Sequence, residues 1–314
     1  MNFTSTLLTS HETLYRASTT ATFLSAAARG KVPKPVLGRW LANDRLYIHA
    51  YIKGAGRFLA LLDLPDVVES SPSRNNTSSR HVSGHDAGSP TVTDKAADRA
   101  TATVTERLLN WLIDALVNVR REERFFIDVA ARFGIDVNLP TAPTSEGGSS
   151  AHRRVKDEDK NAGLLAFERL FASIATTRPR GVLLPWLAPA VLFWATEKCY
   201  LEAWSGARDM LPSSVSATSA SGTSGKDTAS DSDGGALRTE FIPNWSSPAF
   251  RAFVDELAAI VDDGVDEAVR LHGEEAVGDE IDQARHMWRE VLLAENDFWP
   301  EEMEEGGLRR VPSA

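Results

Sequence analysis

The stretch Val182-Leu183-Leu184-Pro185-Trp186-Leu187-Ala188-Pro189-Ala190-Val191-Leu192-Phe193-Trp194-Ala195-Thr196-Glu197-Lys198-Cys199-Tyr200 decides the fold of this 314-residue chain. From Val182 to Phe193 it has no polar side chain, and its continuation predicts a helix over Trp186 to Trp204 that is apolar on most of its faces. Such a helix belongs inside a bundle, surrounded by other helices. The apolar run is too short to span a bilayer and contains two prolines, so it reads as core. Glu197 stands inside it, and a carboxylate in that environment needs a partner or a task.

Helical periodicity continues on both sides of this segment. Thr13 to Ala28 predicts a small-residue helix stopped at Gly30, and Pro33 or Pro35 opens a long helix running to Leu62. Leu37, Trp40, Leu41, Leu46, Tyr47, Ile48, Tyr51, Ile52 and Phe58 crowd more than one face of it, while Gly54 and Gly56 mark a bend or a close helix contact. Further helices are predicted from Thr101 to Phe133, stopped at Gly134, and from Ala162 to Thr176. Two more run from Ala249 to about Leu271, capped by Ser246-Ser247-Pro248, and from Asp279 to Phe298. The count is seven or more helices with no strand alternation, an all-α class. Ser, Thr, Gly and Asp dominate 66–97, 141–160 and 212–235, which lack the apolar mass to order themselves and read as disordered insertions in one domain spanning 1–314.

Composition narrows the function. A net charge of −10 argues against nucleic acid or an anionic membrane as partner, since both demand clustered Lys and Arg. One cysteine, Cys199, allows no internal disulfide and no thiolate metal cage, which points to a reducing, cytoplasmic setting; no signal- or transit-peptide pattern is evident. Cys199 itself reads as a small buried hydrophobe. His81 and His85 have a helical metal spacing, but the polar tract around them denies the helix. There is no phosphate-cradling glycine loop and no Gly-x-Ser-x-Gly elbow.

Acids placed among aromatics carry the chemistry. Besides Glu197, flanked by Trp194 and Tyr200, the chain offers Asp44 in Asn43-Asp44-Arg45-Leu46-Tyr47 and Glu295 in Glu295-Asn296-Asp297-Phe298-Trp299. Glu122-Glu123-Arg124-Phe125-Phe126 also sets an acid beside a core face. Each acid has a structural alternative. Asp44 could answer Arg45 or Arg57, Glu197 could be neutralised by Lys198, and Glu295 could belong to the solvated acidic tail.

The order of these blocks resembles the TenA (thiaminase II) family, in its glutamate-type branch that lacks the active-site cysteine. Four segments carry the likeness: Trp40-Leu41-Ala42-Asn43-Asp44-Arg45-Leu46-Tyr47, Trp194-Ala195-Thr196-Glu197-Lys198-Cys199-Tyr200, Asn244-Trp245-Ser246-Ser247-Pro248-Ala249-Phe250, and Glu295-Asn296-Asp297-Phe298-Trp299. The resemblance implies a single haem-oxygenase-like helical bundle, a small-molecule aminopyrimidine ligand, no cofactor and no metal. It further implies hydrolysis of 4-amino-5-aminomethyl-2-methylpyrimidine or its N-formyl derivative in thiamin salvage, and a possible homo-oligomer. On that pattern Glu197, Glu295 and Asp44 are the candidate catalytic residues, and Tyr47, Tyr51, Trp194, Tyr200, Trp245 and Phe298 the candidate substrate-binding ones. Pro189-Ala190 stands where many members have proline and the nucleophilic cysteine, and Phe167 and Trp245 stand where tyrosines are usual. Two alternatives share the fold: a non-catalytic ligand-binding or interaction protein, and a cofactor-using oxygenase, for which His11 precedes the pocket-facing part of its helix.

Overall fold

A computed structural model describes residues 2–64, 66, 103–141, 154–211 and 228–300. In chain order the helices are α1 (Phe3–Ser10), α2 (Glu12–Thr19), α3 (Thr22–Ala28), α4 (Lys34–Leu61), α5 (Val104–Phe133), α6 (Ala162–Ser173), α7 (Leu187–Asp209), α8 (Ile242–Trp245), α9 (Pro248–His272) and α10 (Gly278–Phe298). No strand occurs among the described residues, and none of their helices is long and apolar enough to cross a membrane.

The stop and start signals act as their chemistry requires. Thr103 and Glu106 form a reciprocal capping box at the head of α5, and Gly134 ends that helix in the left-handed conformation (φ 64°). Ser247 accepts from Phe250 N at 3.3 Å and Pro248 fills the first turn of α9. Where one N-terminal helix was expected over Thr13 to Ala28, there are three short ones from Phe3 onward. The hydroxyls of Ser18, Thr19 and Thr20 bond back to the carbonyls of Tyr15 and Arg16 at 2.7–2.9 Å, and the chain breaks at Thr20–Ala21 before α3 starts.

Two of the expected insertions are narrower than their composition implied. Residues 154–160 include a 3₁₀ turn at Asp157–Asp159, locked by Lys160 Nζ on Asp157 and Glu168 at 2.9 Å each. Residues 228–235 are also folded. Asp233 is fully buried and accepts from Gly235 N (2.9 Å) and Leu237 N (2.7 Å), Asp231 pairs with Arg238, and Ser232 N reaches Gly30 O at 2.9 Å. Polar residues order there by bonding to backbone, which a count of apolar residues does not register. The remainder, 67–97, 142–153 and 212–227, with His81 and His85, lies outside the described residues.

α7 is the axis of the bundle, packed by α10, α9, α2, α3 and α8, while α4 lies between α5 and α6 and α6 also meets α10. Glycines set the closest approaches. A Cβ on Gly163 of α6 would lie 2.5 Å from Ala294 O and from Phe298 N of α10, and one on Gly54 of α4 would lie 2.5 Å from the Phe171 ring of α6. Gly54 therefore serves helix packing. A polar clasp joins the same three helices: Asn43 Oδ1 accepts from Asn161 N (3.0 Å), Asn161 Oδ1 caps α6 at Leu164 N (2.6 Å), and Asn161 Nδ2 donates to Phe298 O (3.1 Å). Asp44 follows Asn43 and Glu295 lies one turn before Phe298, so this clasp fixes two of the candidate acids relative to each other.

Candidate active site

Between α4, α5, α6, α7, α8, α9 and α10 lies a cavity of about 370 Å³, within the range of small-molecule sites. Its walls come from two aromatic groups. Tyr200 and Trp245 form one, with ring centroids 5.4 Å apart, and Trp40 and Trp204 pack against them. Tyr47, Tyr51, Phe167 and Phe298 form the other, with Tyr47 set edge-on to Phe167 at 5.0 Å and Phe171 packed against the group. Arg121 and Ala249, both exposed, stand at the rim.

Four carboxylates face this space: Asp44, Glu122, Glu197 and Glu295. Asp44 and Glu295 are 5% and 4% exposed, and Glu197 is partly buried. Desolvation is the largest influence on all four and raises each carboxyl, because a charge in a dry wall is costly. Their donors then separate them. Glu197 is pushed up to about 7; Tyr51 Oη donates to its Oε1 at 2.8 Å and pulls it down, while Glu122 pushes it further up. Asp44 is raised well above the carboxylate range by burial and by the charges of Glu122 and Glu197, against a bond from Tyr200 that lowers it. The Glu295 carboxyl makes no hydrogen bond among the described residues and is also held well above that range, by burial and by Asp44 and Glu197. Glu122 accepts from Trp245 Nε1 and from Asn244 Nδ2 (3.2 Å), both of which partly offset its burial.

The structure brings eight of the nine expected site residues to one cavity: Asp44, Glu197, Glu295, Tyr47, Tyr51, Tyr200, Trp245 and Phe298. Trp194 is the exception. It points from α7 toward α10, stacking on Trp288 at 5.4 Å, and Tyr15 of α2 also packs on that indole, at 5.5 Å. A helix buried all round distributes its aromatics over every face, so nearness to Glu197 in sequence did not place Trp194 in the same space.

Two of the simpler partners for the acids are engaged elsewhere. Lys198 pairs with Glu202 at 2.6 Å, and Arg57 Nε donates to Ile174 O at 2.7 Å. Cys199 is buried outside the cavity, 3.9 Å from Ser18 Oγ, with its thiol pushed up by burial. Glu122 and Asn244 are lining residues that sequence reasoning did not single out for the site. The signal available was an acid beside the core face of α5, and its partner Trp245 lies 123 positions away. Among the described residues the lining contains neither histidine nor cysteine. No cluster of three or more His, Cys, Asp or Glu suited to a metal ion occurs among the described residues.

No family model matches the chain. No curated protein matches it in sequence. Among solved structures it is similar to the X-ray structure of a TenA homologue from Pyrococcus furiosus, with a TM-score of 0.56 and 18% identity over 95% of this chain and 98% of that one. At that identity the likeness concerns the fold, the all-α haem-oxygenase-like arrangement.

Proposed function

We propose that the protein is an aminopyrimidine hydrolase of the TenA type, in the glutamate-type branch, acting on 4-amino-5-aminomethyl-2-methylpyrimidine or its N-formyl derivative. The observation that carries this reading is the convergence of Asp44, Glu197 and Glu295, from three helices distant in sequence, on one aromatic-walled cavity. A flat aminopyrimidine fits such walls through its π faces, and its edge offers an amino donor beside a ring-nitrogen acceptor. Asp44 and Glu295 are both held toward their protonated forms, and together they provide an acceptor oxygen for the amino group and a proton for the ring nitrogen.

Glu197 then does the acid–base work. Near neutral pH about half of it is ionised, so it takes a proton from water as the water oxygen bonds to the arm carbon. The carbon–nitrogen bond of the protonated arm breaks, the nitrogen leaves as ammonia with the electron pair of that bond, the proton from water stays on Glu197, and the hydroxymethyl product retains the oxygen. With the N-formyl arm the water adds to the formyl carbon, and formate and the amine separate. Tyr51 orients the Glu197 carboxylate through its 2.8 Å bond.

Purified protein is expected to release ammonia from the amine or formate from its N-formyl derivative. Glu197→Gln is expected to stop turnover while its circular dichroism and melting remain those of a folded protein. Inactivity of the wild type on both compounds would end this reading.

A further inference from the structure

Asp44, Glu197 and Glu295 account for ring recognition and water activation, and they leave the fourth carboxylate of the cavity without a task. Glu122 projects from α5 and is clasped by the indole N–H of Trp245 and the amide of Asn244 (3.2 Å), residues that themselves line the cavity. Both belong to α8, which begins immediately after a π-helical turn (Leu237–Phe241), and Phe241 stacks on Trp245 at 4.8 Å, so the clasp is anchored in the core. The neighbouring guanidinium of Arg121 turns to Asn118 Oδ1 (3.1 Å) and does not close on Glu122. The charge of Glu122 raises both Asp44 and Glu197, and those two in turn raise Glu295.

Glu122 is also the acid best equipped to stay charged. Its carboxylate has two N–H donors, Glu197 has the single Tyr51 hydroxyl, and Glu295 has no donor among the described residues. Donors aimed at the ionised form favour that form. Trp245 and Phe250 line the same cavity, and aromatic rings attract a cation.

We propose that Glu122, oriented by Asn244 and Trp245, is a subsite that receives the protonated amine on the ligand's side arm, so that the cavity selects cationic arylmethylamines over neutral isosteres. The identity of the ring rests on the hydrolase reading; the charge selection does not. For the pyrimidines, the subsite favours the aminomethyl compound over its N-formyl derivative.

The test is calorimetric titration at pH 7 with two matched pairs, each on protein with and without Glu122→Gln, the pyrimidine pair being titrated in the Glu197→Gln background that does not consume it. The pairs are benzylamine with benzyl alcohol, and the aminomethylpyrimidine with its N-formyl derivative. Protein retaining Glu122 is expected to bind each amine about tenfold to a hundredfold more tightly than its neutral partner, the range of one charge-assisted hydrogen bond. Glu122→Gln keeps an acceptor for Trp245 and Asn244, and is expected to lose that ratio with the affinity for the neutral ligand nearly unchanged. Asn244→Ala, which loosens the clasp and leaves the charge, is expected to lower the ratio in part, and it serves if Glu122→Gln does not fold. The subsite is overturned if protein retaining Glu122 shows no amine preference, if the preference survives Glu122→Gln, or if both members of a pair weaken equally. Hydrolysis of the pyrimidine without a Glu122-dependent preference removes the subsite alone. Glu122-dependent binding of benzylamine with neither pyrimidine hydrolysed removes the hydrolase reading alone.

Discussion

Replacing Tyr51 by Phe removes one hydroxyl and nothing else from the contact that holds Glu197. The ring would keep its edge-on packing on Phe193, at 4.7 Å, and on Phe171, at 5.5 Å. What disappears is the 2.8 Å bond to Oε1, which favours the ionised carboxylate and keeps its pKa near 7 against the upward push of burial. A hydrogen bond to a charged group is worth about 1.5–3 kcal/mol, and each pKa unit corresponds to about 1.4 kcal/mol. Allowing for partial compensation by other dipoles in the cavity, Tyr51→Phe raises the Glu197 pKa by about one unit, to about 8. The base is the ionised form, so activity rises with pH as Glu197 loses its proton. The acid limb of kcat, centred near pH 7 in the wild type, therefore moves up by about one unit in the variant. Turnover falls about tenfold below pH 7 and recovers above pH 9. A ¹³C NMR titration of labelled glutamate carboxyls reads the same shift without relying on catalysis. An acid limb that stays in place or moves down refutes the reasoning, and an alkaline limb moving up instead shows Glu197 acting as the acid.

Three further outcomes follow from the same geometry. Glu197 has a folded pKa near 7 against an ordinary 4.5, so the folded chain keeps a proton that the unfolded chain gives up; this contribution is complete below about pH 4.5 and is lost as pH rises through 7. The difference amounts to about 3 kcal/mol, so chemical denaturation at pH 8 relative to pH 5 is expected to show Glu197→Gln gaining up to that much on the wild type. Cys199→Ala is expected to leave turnover intact and to cost about 1 kcal/mol in a urea titration, because the thiol lies in the core beside Ser18 and outside the cavity. Gly163→Ala forces a methyl to within 2.5 Å of the α10 backbone at Ala294 and Phe298; melting is expected to show a loss of about 1–3 kcal/mol, with kcat falling too because Glu295 and Phe298 move with that backbone.

Much of the architecture is legible because it depends on local signals. The apolar run through Phe193 identifies α7 as the axis, and Gly134, Ser247-Pro248 and Pro33 stop or start helices by backbone chemistry that any reader of the chain can apply. The three acids were legible for a related reason, since a carboxylate at Asp44, Glu197 or Glu295 interrupts an otherwise apolar helical face. What sequence could not supply was direction around a helix buried on all sides, which is why Trp194 was grouped with Glu197 although it packs on Trp288. Long-range pairing was equally hidden: Glu122 acquires its place in the site only when Asn244 and Trp245 arrive from the other end of the chain. Likewise, the order at 228–235 depends on Asp231 and Asp233 finding Arg238 and backbone amides, contacts that composition does not encode.

The most direct measurement is a crystal structure of Glu197→Gln with the aminomethylpyrimidine bound, since the variant should hold substrate without consuming it. The account predicts the ring between the Tyr47–Phe298 and Tyr200–Trp245 walls, its amino edge on Asp44, and its arm within hydrogen-bonding reach of position 197 and Glu122. A ligand bound elsewhere, or a ring in the cavity with its arm directed away from position 197, would contradict it.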